Sequence, residues 1–319
     1  MCHKQNKSLQ KKIFKATGIV ICIMCLAILA LYVNNRIQLS QEQDLLKPLG
    51  ELVEVDGKKI SIYAEGNGEQ TIVFMSGSGT CSPILDFKSL YSLLSEKYRI
   101  VVVEKFGYGF SDITDTSRDI DTILENTRTA LTKAGIDGPY VLCPHSMSGI
   151  EALYWAQKYP SEVSVIIGLD MSVPQAYADM QINIPLMKVL QFCVNSGVAR
   201  IGNFSESAAI TNGTLIEDEK DIYRALFFTR TLTNDMLNET ANIKDSAKKV
   251  ENNEIPQIPI LLFCSDGSGG TGYTKGQWQE MQDDFADQTN AEIVYLDCGH
   301  YVHDYEYSRI ADEIKLFLD

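Results

Sequence analysis

No aspartate or glutamate occurs before Arg36, and the first 36 residues of this 319-residue chain carry six Lys/Arg instead. The rest is the opposite. It keeps 22 of the 28 Lys+Arg against all 42 Asp+Glu, a net charge of about −20 over residues 37–319. So little positive charge argues against holding nucleic acid by phosphate contacts and leaves a solvated acidic surface. Cysteine is too sparse and irregular for a disulfide framework. Cys2, Cys22 and Cys25 lie in or before an apolar run, and Cys81, Cys143, Cys193, Cys264 and Cys298 follow no spacing. Each reads as a small apolar residue, with Cys264–Cys298 the one pairing left open. Internal repeats and low-complexity tracts are also missing. With 45% hydrophobic and 22% charged residues the composition is that of a globular protein, with room for one large domain or two smaller ones.

The run without charge is ATGIVICIMCLAILALYV, residues 16–33, preceded by Lys4, Lys7, Lys11, Lys12 and Lys15. Eighteen helical residues span roughly 27 Å, close to the ~30 Å hydrocarbon core of a bilayer. Residues 1–15 are therefore expected in the cytoplasm, 16–33 across the membrane and the remainder outside, since basic flanks stay inside. A cleaved signal peptide is the competing reading. It normally has a shorter apolar region and an A-x-A site, and no good one follows Leu29.

Residues 34–50 read as a polar linker ending in Pro48 and Gly50. LVEVDGKKISIYAEG then alternates around Asp56-Gly57, the pattern of a hairpin. Buried runs follow at TIVFM, RIVVVEKF, YVLCPH, VSVIIGLD, IPILLFCS and AEIVYLDC. Helical patterns lie between them, at Ile84 to Tyr98, at Ile120 to Ala134, in EALYWAQKYP and at the C-terminus. This alternation predicts an α/β fold with a mostly parallel sheet covered on both faces, and ligands at the carboxyl ends of its strands. The segment 171–251 breaks the pattern with helical stretches such as IPLMKVLQFCV and KDIYRALFFTRTL. It is expected to form a helical lid over a core of 51–170 and 252–319.

Three loops at strand ends carry candidate chemistry. CPHSMSG places Ser146 between a strand and a helix, LDCGHYVHD places His300 after the last strand, and SGSG follows TIVFM. A serine hydroxyl becomes a competent nucleophile when an imidazole takes its proton, and a helix N-terminus beside it favours a developing oxyanion. Other motifs have plainer readings. GSGGTG at 267–272 lacks the Lys-Ser/Thr of a phosphate loop and reads as a flexible loop. His303, three residues after His300, has no evident third metal ligand and reads as a polar neighbour. His145 reads as structural or pocket-lining. No metal and no cofactor is expected.

Taken together, VFMSGSG, VVVEKFGYGFSD, PHSMSG and CGHYVH resemble, in order, four motifs of the alpha/beta-hydrolase superfamily. The matching segments cover about 50–170 and 256–319. PHSMSG resembles G-H-S-M-G-G with Pro144 and Ser148 in place of glycines, and Ser76 stands where the family has His. The resemblance implies an alpha/beta-hydrolase fold with an inserted helical lid, Ser146 as nucleophile and His300 as general base. It further implies an oxyanion hole from the N–H of Met147 and of Ser78. Its acid has two candidates, Asp170 at the end of VSVIIGLD and Asp266 in SDGS. The serine argues against the dehalogenase and epoxide-hydrolase chemistry of the superfamily, which uses aspartate. The function implied is hydrolysis of a small-molecule carboxylic ester, or an amide, by a membrane-anchored serine hydrolase. A proline-releasing peptidase and a non-catalytic hydrolase-like binding protein are the alternatives.

Overall fold

Asp56 and Gly57 take φ values of 50° and 75°. They turn the chain between β1 (Glu51–Val55) and β2 (Lys58–Glu65), as an Asp-Gly dipeptide should. From this hairpin the computed structural model, which describes residues 2–319 and side chains from Gln10 onward, builds an eight-stranded sheet. Met1 and the side chains of residues 2–9, Lys4 and Lys7 among them, lie outside the described residues.

The remaining strands are β3 (Thr71–Met75), β4 (Arg99–Glu104), β5 (Tyr140–Pro144), β6 (Val163–Leu169), β7 (Ile260–Cys264) and β8 (Glu292–Tyr295). Their order is β1-β2-β4-β3-β5-β6-β7-β8. The β1 and β2 pairings are antiparallel and all others are parallel. β3, β5 and β7 are buried at every position, which is why they read as unbroken apolar runs.

The longer helices are α1 (Cys2–Gln41), α2 (Ile120–Lys133), α3 (Ser148–Lys158), α4 (Ile184–Asn195), α5 (Glu217–Arg230), α6 (Asn234–Glu251), α7 (Lys275–Thr289) and α8 (Tyr307–Leu318). α2 starts where Asp119 accepts a hydrogen bond from the Thr122 N–H, 3.0 Å. It ends before Gly135, whose φ of 67° stops the helix. One core cluster joins the sheet to α2, α3, α6 and α7 through residues such as Leu124, Trp155, Ile243 and Trp278. A second, on Phe74, Phe87 and Ile310, joins it to α8 and the segment after β3. Each fully buried side chain of this size contributes roughly 1.5–3 kcal/mol before entropy is counted.

Three expectations change. The single helix predicted from Ile84 to Tyr98 is two short turns, Pro83–Asp86 and Lys88–Tyr91, followed by further turns. The break at Phe87 comes where Asp86 turns inward to accept hydrogen bonds from His303 and Tyr223. The linker predicted at 34–50 is helical through Gln41, because Asn35 is buried and Leu39 packs on Val194, Ala199 and Phe228. Cys264 and Cys298 are both free thiols.

Between β6 and β7 the chain leaves the sheet and forms α4, α5 and α6, the helical stretches expected there. α1 is the one helix among the described residues long and apolar enough to cross a membrane, and none of its apolar window is buried.

Candidate active site

β5 delivers Ser146 to the carboxyl end of the sheet. Pro144 closes the strand in register with Met75, and the His145 N–H extends the ladder to the Met75 carbonyl, 2.9 Å. Ser146 then adopts φ 54°, a left-handed conformation that costs a non-glycine residue about 1–2 kcal/mol. Its carbonyl is held from two sides, by the N–H of Gly149 at 3.0 Å and of Ser172 at 2.8 Å. The Ser148 hydroxyl donates within reach of the Met75 and His145 carbonyls, at 2.6 and 2.8 Å. Serine at position 148, where the resembled motif has glycine, therefore ties the turn to β3. The glycine that the turn needs is Gly77: a Cβ there would lie 2.7 Å from the Ser146 Cβ.

Ser146, His300 and Asp170 come together. His300 Nε2 lies 2.8 Å from Ser146 Oγ, and His300 Nδ1 lies 2.6 Å from Asp170 Oδ2. Asp170 is fully buried at the end of β6 and accepts three further hydrogen bonds, all at 2.7 Å. They come from the Ser265 N–H, the Ser265 hydroxyl and the Trp278 indole. With that carboxylate on Nδ1, the Nε2 lone pair faces the serine hydroxyl, at a separation suited to proton transfer.

Asp266 is not brought to the histidine. Its side chain accepts from the Ser268 N–H at 2.8 Å, which makes it a turn residue on an open loop and pulls its carboxyl below the usual range. GSGGTG, expected to be a flexible loop, is a mostly exposed run of turns that passes beside the imidazole. A Cβ on Gly270 would sit 2.6 Å from His300 Cδ2. Gly77 and Gly270 lie within the SGSG and GSGGTG loops noted in the sequence, whereas Ser265 and Trp278 were not singled out. Glycine after a buried strand was the available signal for the first, whereas the contacts of Trp278 depend on how α7 crosses β6 and β7.

Met147 is buried and Ser78 half-buried beside the serine. Their N–H groups find no acceptor among the described residues. The Ser78 hydroxyl pairs with that of Thr240 on α6, 3.0 Å away. α6 is fixed over this end of the sheet by buried charge. Lys105, just after β4, contacts Glu239 and lies 3.4 Å from Glu151 of α3. The Tyr108 hydroxyl donates to Glu239, and the Thr114 N–H to Asp235. Burial draws the Lys105 pKa down, but the two glutamates outweigh it and the net shift is upward, so the ammonium is retained. A cavity of about 680 Å³ lined by Leu153, Val173, Val250 and Phe285 lies apart from Ser146.

Behind His300 lies a buried polar layer. Burial, then the neighbouring His300 and His303, hold His145 well below the ordinary histidine pKa. It is thus neutral, and its Nε2 donates to the His300 carbonyl at 3.1 Å. His303 Nε2 donates to Asp86, 3.0 Å. Burial and the adjacent Asp86 push the Asp304 carboxyl well up. Asp86, His303 and Asp304 bring ligand-type atoms within 4.8 Å of one another, a grouping that leaves out His300 and draws Asp86 from a distant part of the chain. A proton on Asp304 relieves the same repulsion without an ion.

The YbdG protein of Bacillus subtilis, itself uncharacterized, is 37% identical to the chain over 309 residues, covering 94% of this chain and 95% of YbdG. The chain belongs to the YbdG family. No protein-family model matches it. Solved structures similar to this YbdG relative include an epoxide hydrolase of Bacillus megaterium, with a TM-score of 0.63 and 14% identity over 84% of this chain and 99% of that one. Another is CarC, a serine hydrolase involved in carbazole degradation, with a TM-score of 0.57 and 16% identity over 85% and 98%. With the mostly parallel sheet, these likenesses give the chain the alpha/beta-hydrolase fold.

Proposed function

We propose that this protein is a membrane-anchored serine hydrolase that cleaves a carboxylic ester through an acyl-enzyme on Ser146. The observation that carries the reading is the unbroken hydrogen-bonded chain from Ser146 Oγ through His300 to the buried Asp170. Ser146 Oγ attacks the ester carbonyl carbon as its proton passes to His300 Nε2. The negative charge that develops on the carbonyl oxygen is met by the N–H groups of Met147 and Ser78. His300 returns the proton to the departing alkoxide, which leaves as the alcohol. Water then attacks the acyl carbon with His300 again taking a proton, and the acid departs as Ser146 recovers its hydrogen. Asp170 holds the imidazole in the tautomer that keeps Nε2 free and stabilises the imidazolium during each step.

α1 is the anchor in this reading. Lys11, Lys12 and Lys15 precede its apolar stretch, which places the N-terminus in the cytoplasm and the hydrolase domain outside.

Turnover of a short-chain aryl ester by the full-length protein tests the assignment. Asp170→Asn should lower kcat by roughly 10⁴-fold, the scale for a lost triad carboxylate, while Asp266→Asn leaves it unchanged. The reverse ranking would give the role to Asp266. Unimpaired turnover by Ser146→Ala would end the serine-hydrolase reading.

A further inference from the structure

Among the described residues, nothing covers the outward apolar face of α4. Leu186, Val189, Leu190 and Cys193 recur at the i, i+3, i+4, i+7 spacing of one helix face. Leu186, Val189, Leu190 and Phe192 are each about half exposed, at 53%, 56%, 48% and 54%. The adjoining side of the helix makes the attachment: Val194 is buried, and the Gln191 amide donates to the Leu232 carbonyl at 2.7 Å. Just beyond α4, Ile201 and Phe204 are 72% and 69% exposed. So many exposed large apolar side chains within about twenty residues are unusual on a solvated protein and mark an interface.

The position of this surface is set by α1. A Cβ on Gly197, two residues after α4, would lie 2.9 Å from the Leu31 carbonyl oxygen and 2.6 Å from Asn35 Cβ. Asn35 donates to the Asn195 carbonyl at 3.1 Å and accepts from Arg200 Nε at 2.6 Å. Arg200 also forks onto both oxygens of Glu42, at 2.8 and 2.7 Å. Leu31 lies two residues short of the end of the apolar stretch at Val33, or about 3 Å along the axis. The end of α4 therefore meets α1 where that helix would leave the hydrocarbon.

Charge fits the same level. Residues 180–205 contain no Asp or Glu and carry Lys188 and Arg200, in a domain that is otherwise strongly acidic. Lys188 is exposed at the edge of the apolar face, where its stem can lie along lipid and its ammonium can reach phosphate.

We propose that the outward face of α4, with Ile201 and Phe204, lies in the interface of the membrane that holds α1, so that the helical segment over Ser146 faces lipid and the ester substrate is one that partitions into the bilayer. The proposal rests on the reading of α1 as a membrane span. Its occupant is a lipid surface: the apolar side chains enter the headgroup–acyl boundary, and the exposed Lys188 ammonium meets lipid phosphate, Arg200 being already paired with Glu42.

Tryptophan depth measurement tests this without using catalysis. Trp155 and Trp278 are buried and give a constant background. Phe192→Trp, Leu26→Trp and Leu316→Trp are each made in the full-length chain, with circular dichroism to check folding. Each is reconstituted in vesicles of phosphatidylcholine and phosphatidylglycerol, with or without bromine on the acyl chains. The emission added by Phe192→Trp should fall in brominated vesicles, as should that of Leu26→Trp on α1. Leu316→Trp, 75% exposed on the last helix, should lose nothing. Loss at Leu26→Trp with none at Phe192→Trp would overturn the interfacial proposal and leave the anchor standing. No loss at either would overturn both. For the substrate class, Leu190→Ser/Phe192→Ser should reduce turnover of a long-chain ester dissolved in the vesicles while leaving that of a short water-soluble ester unchanged. An equal reduction of both, or of neither, would contradict the bilayer route. Loss of turnover in Ser146→Ala reports separately on the catalytic reading.

Discussion

α6 and α4 belong to the same segment between β6 and β7, yet they are held in opposite ways. α6 carries Asp235 and Glu239 into the protein, where Lys105, Tyr108 and Thr114 hold them. α4 turns its apolar side chains outward and is attached along a narrow edge. Buried charge pairs are poor sources of net stability, but removing one partner is costly, so they fix a helix in a single position. An outward apolar face has the reverse property. It adds little to folding and leaves its helix free to answer to whatever lies against it. With Ser146 as the proposed nucleophile and lipid as the proposed neighbour of α4, the segment combines a fixed inner wall for the reaction with an outer wall fitted to another phase.

The contrast can be broken most severely from the inside. Glu239→Ala leaves the Tyr108 hydroxyl without its partner and the Lys105 ammonium with Glu151 alone, and should destabilise the protein by about 3–5 kcal/mol in denaturant titrations. Glu239→Gln, which keeps an acceptor for the Tyr108 hydroxyl, should cost less than Glu239→Ala. If Glu239→Ala were neutral, α6 would not be held by this pair.

A second test concerns Glu104, buried at the end of β4 with its carboxylate accepting from the Phe110 N–H. Burial raises its pKa from the usual 4.5 to about 7, against the opposing effect of that hydrogen bond. The folded protein therefore holds a proton that the unfolded chain releases. The resulting stabilisation is complete below about pH 4.5 and is lost as pH rises through about 7, a change of roughly 3 kcal/mol. Glu104→Gln should remove this fall in unfolding free energy between pH 4.5 and 7. His145, kept neutral by burial, acts in the opposite sense as acid is added, but it is common to both proteins and cancels in their difference. Parallel pH profiles for wild type and Glu104→Gln would refute the assignment.

The smallest effect belongs to the outer helix. Leu186→Ser or Val189→Ser should change stability by less than about 0.5 kcal/mol each, since both side chains are exposed already. A loss of several kcal/mol would mean that α4 is packed against protein and not presented outward.

Much of this was legible in the chain. The alternation of buried runs and helices gave the sheet and its strand-end loops, because strands buried on both faces must be apolar throughout. The Ser146 turn was readable despite Pro144 and Ser148, since the strand and helix around it keep their own patterns. The choice between Asp170 and Asp266 was not. Both follow strands next to one another, and only the depth of Asp170, with Ser265 and Trp278 around it, separates a buried acceptor from a turn residue. Asp86 was hidden by a pattern that suggested one continuous helix. The end of α1 was hidden by polar residues that proved to be a helix face packed on the domain.

The central claim is that Ser146 is the nucleophile. Its most direct test is to treat the full-length protein in membranes with a fluorophosphonate and locate the adduct by peptide mass spectrometry. One phosphonylated residue is predicted, Ser146, with no labelling in Ser146→Ala. An adduct on another serine, or none on folded wild-type protein, would contradict it.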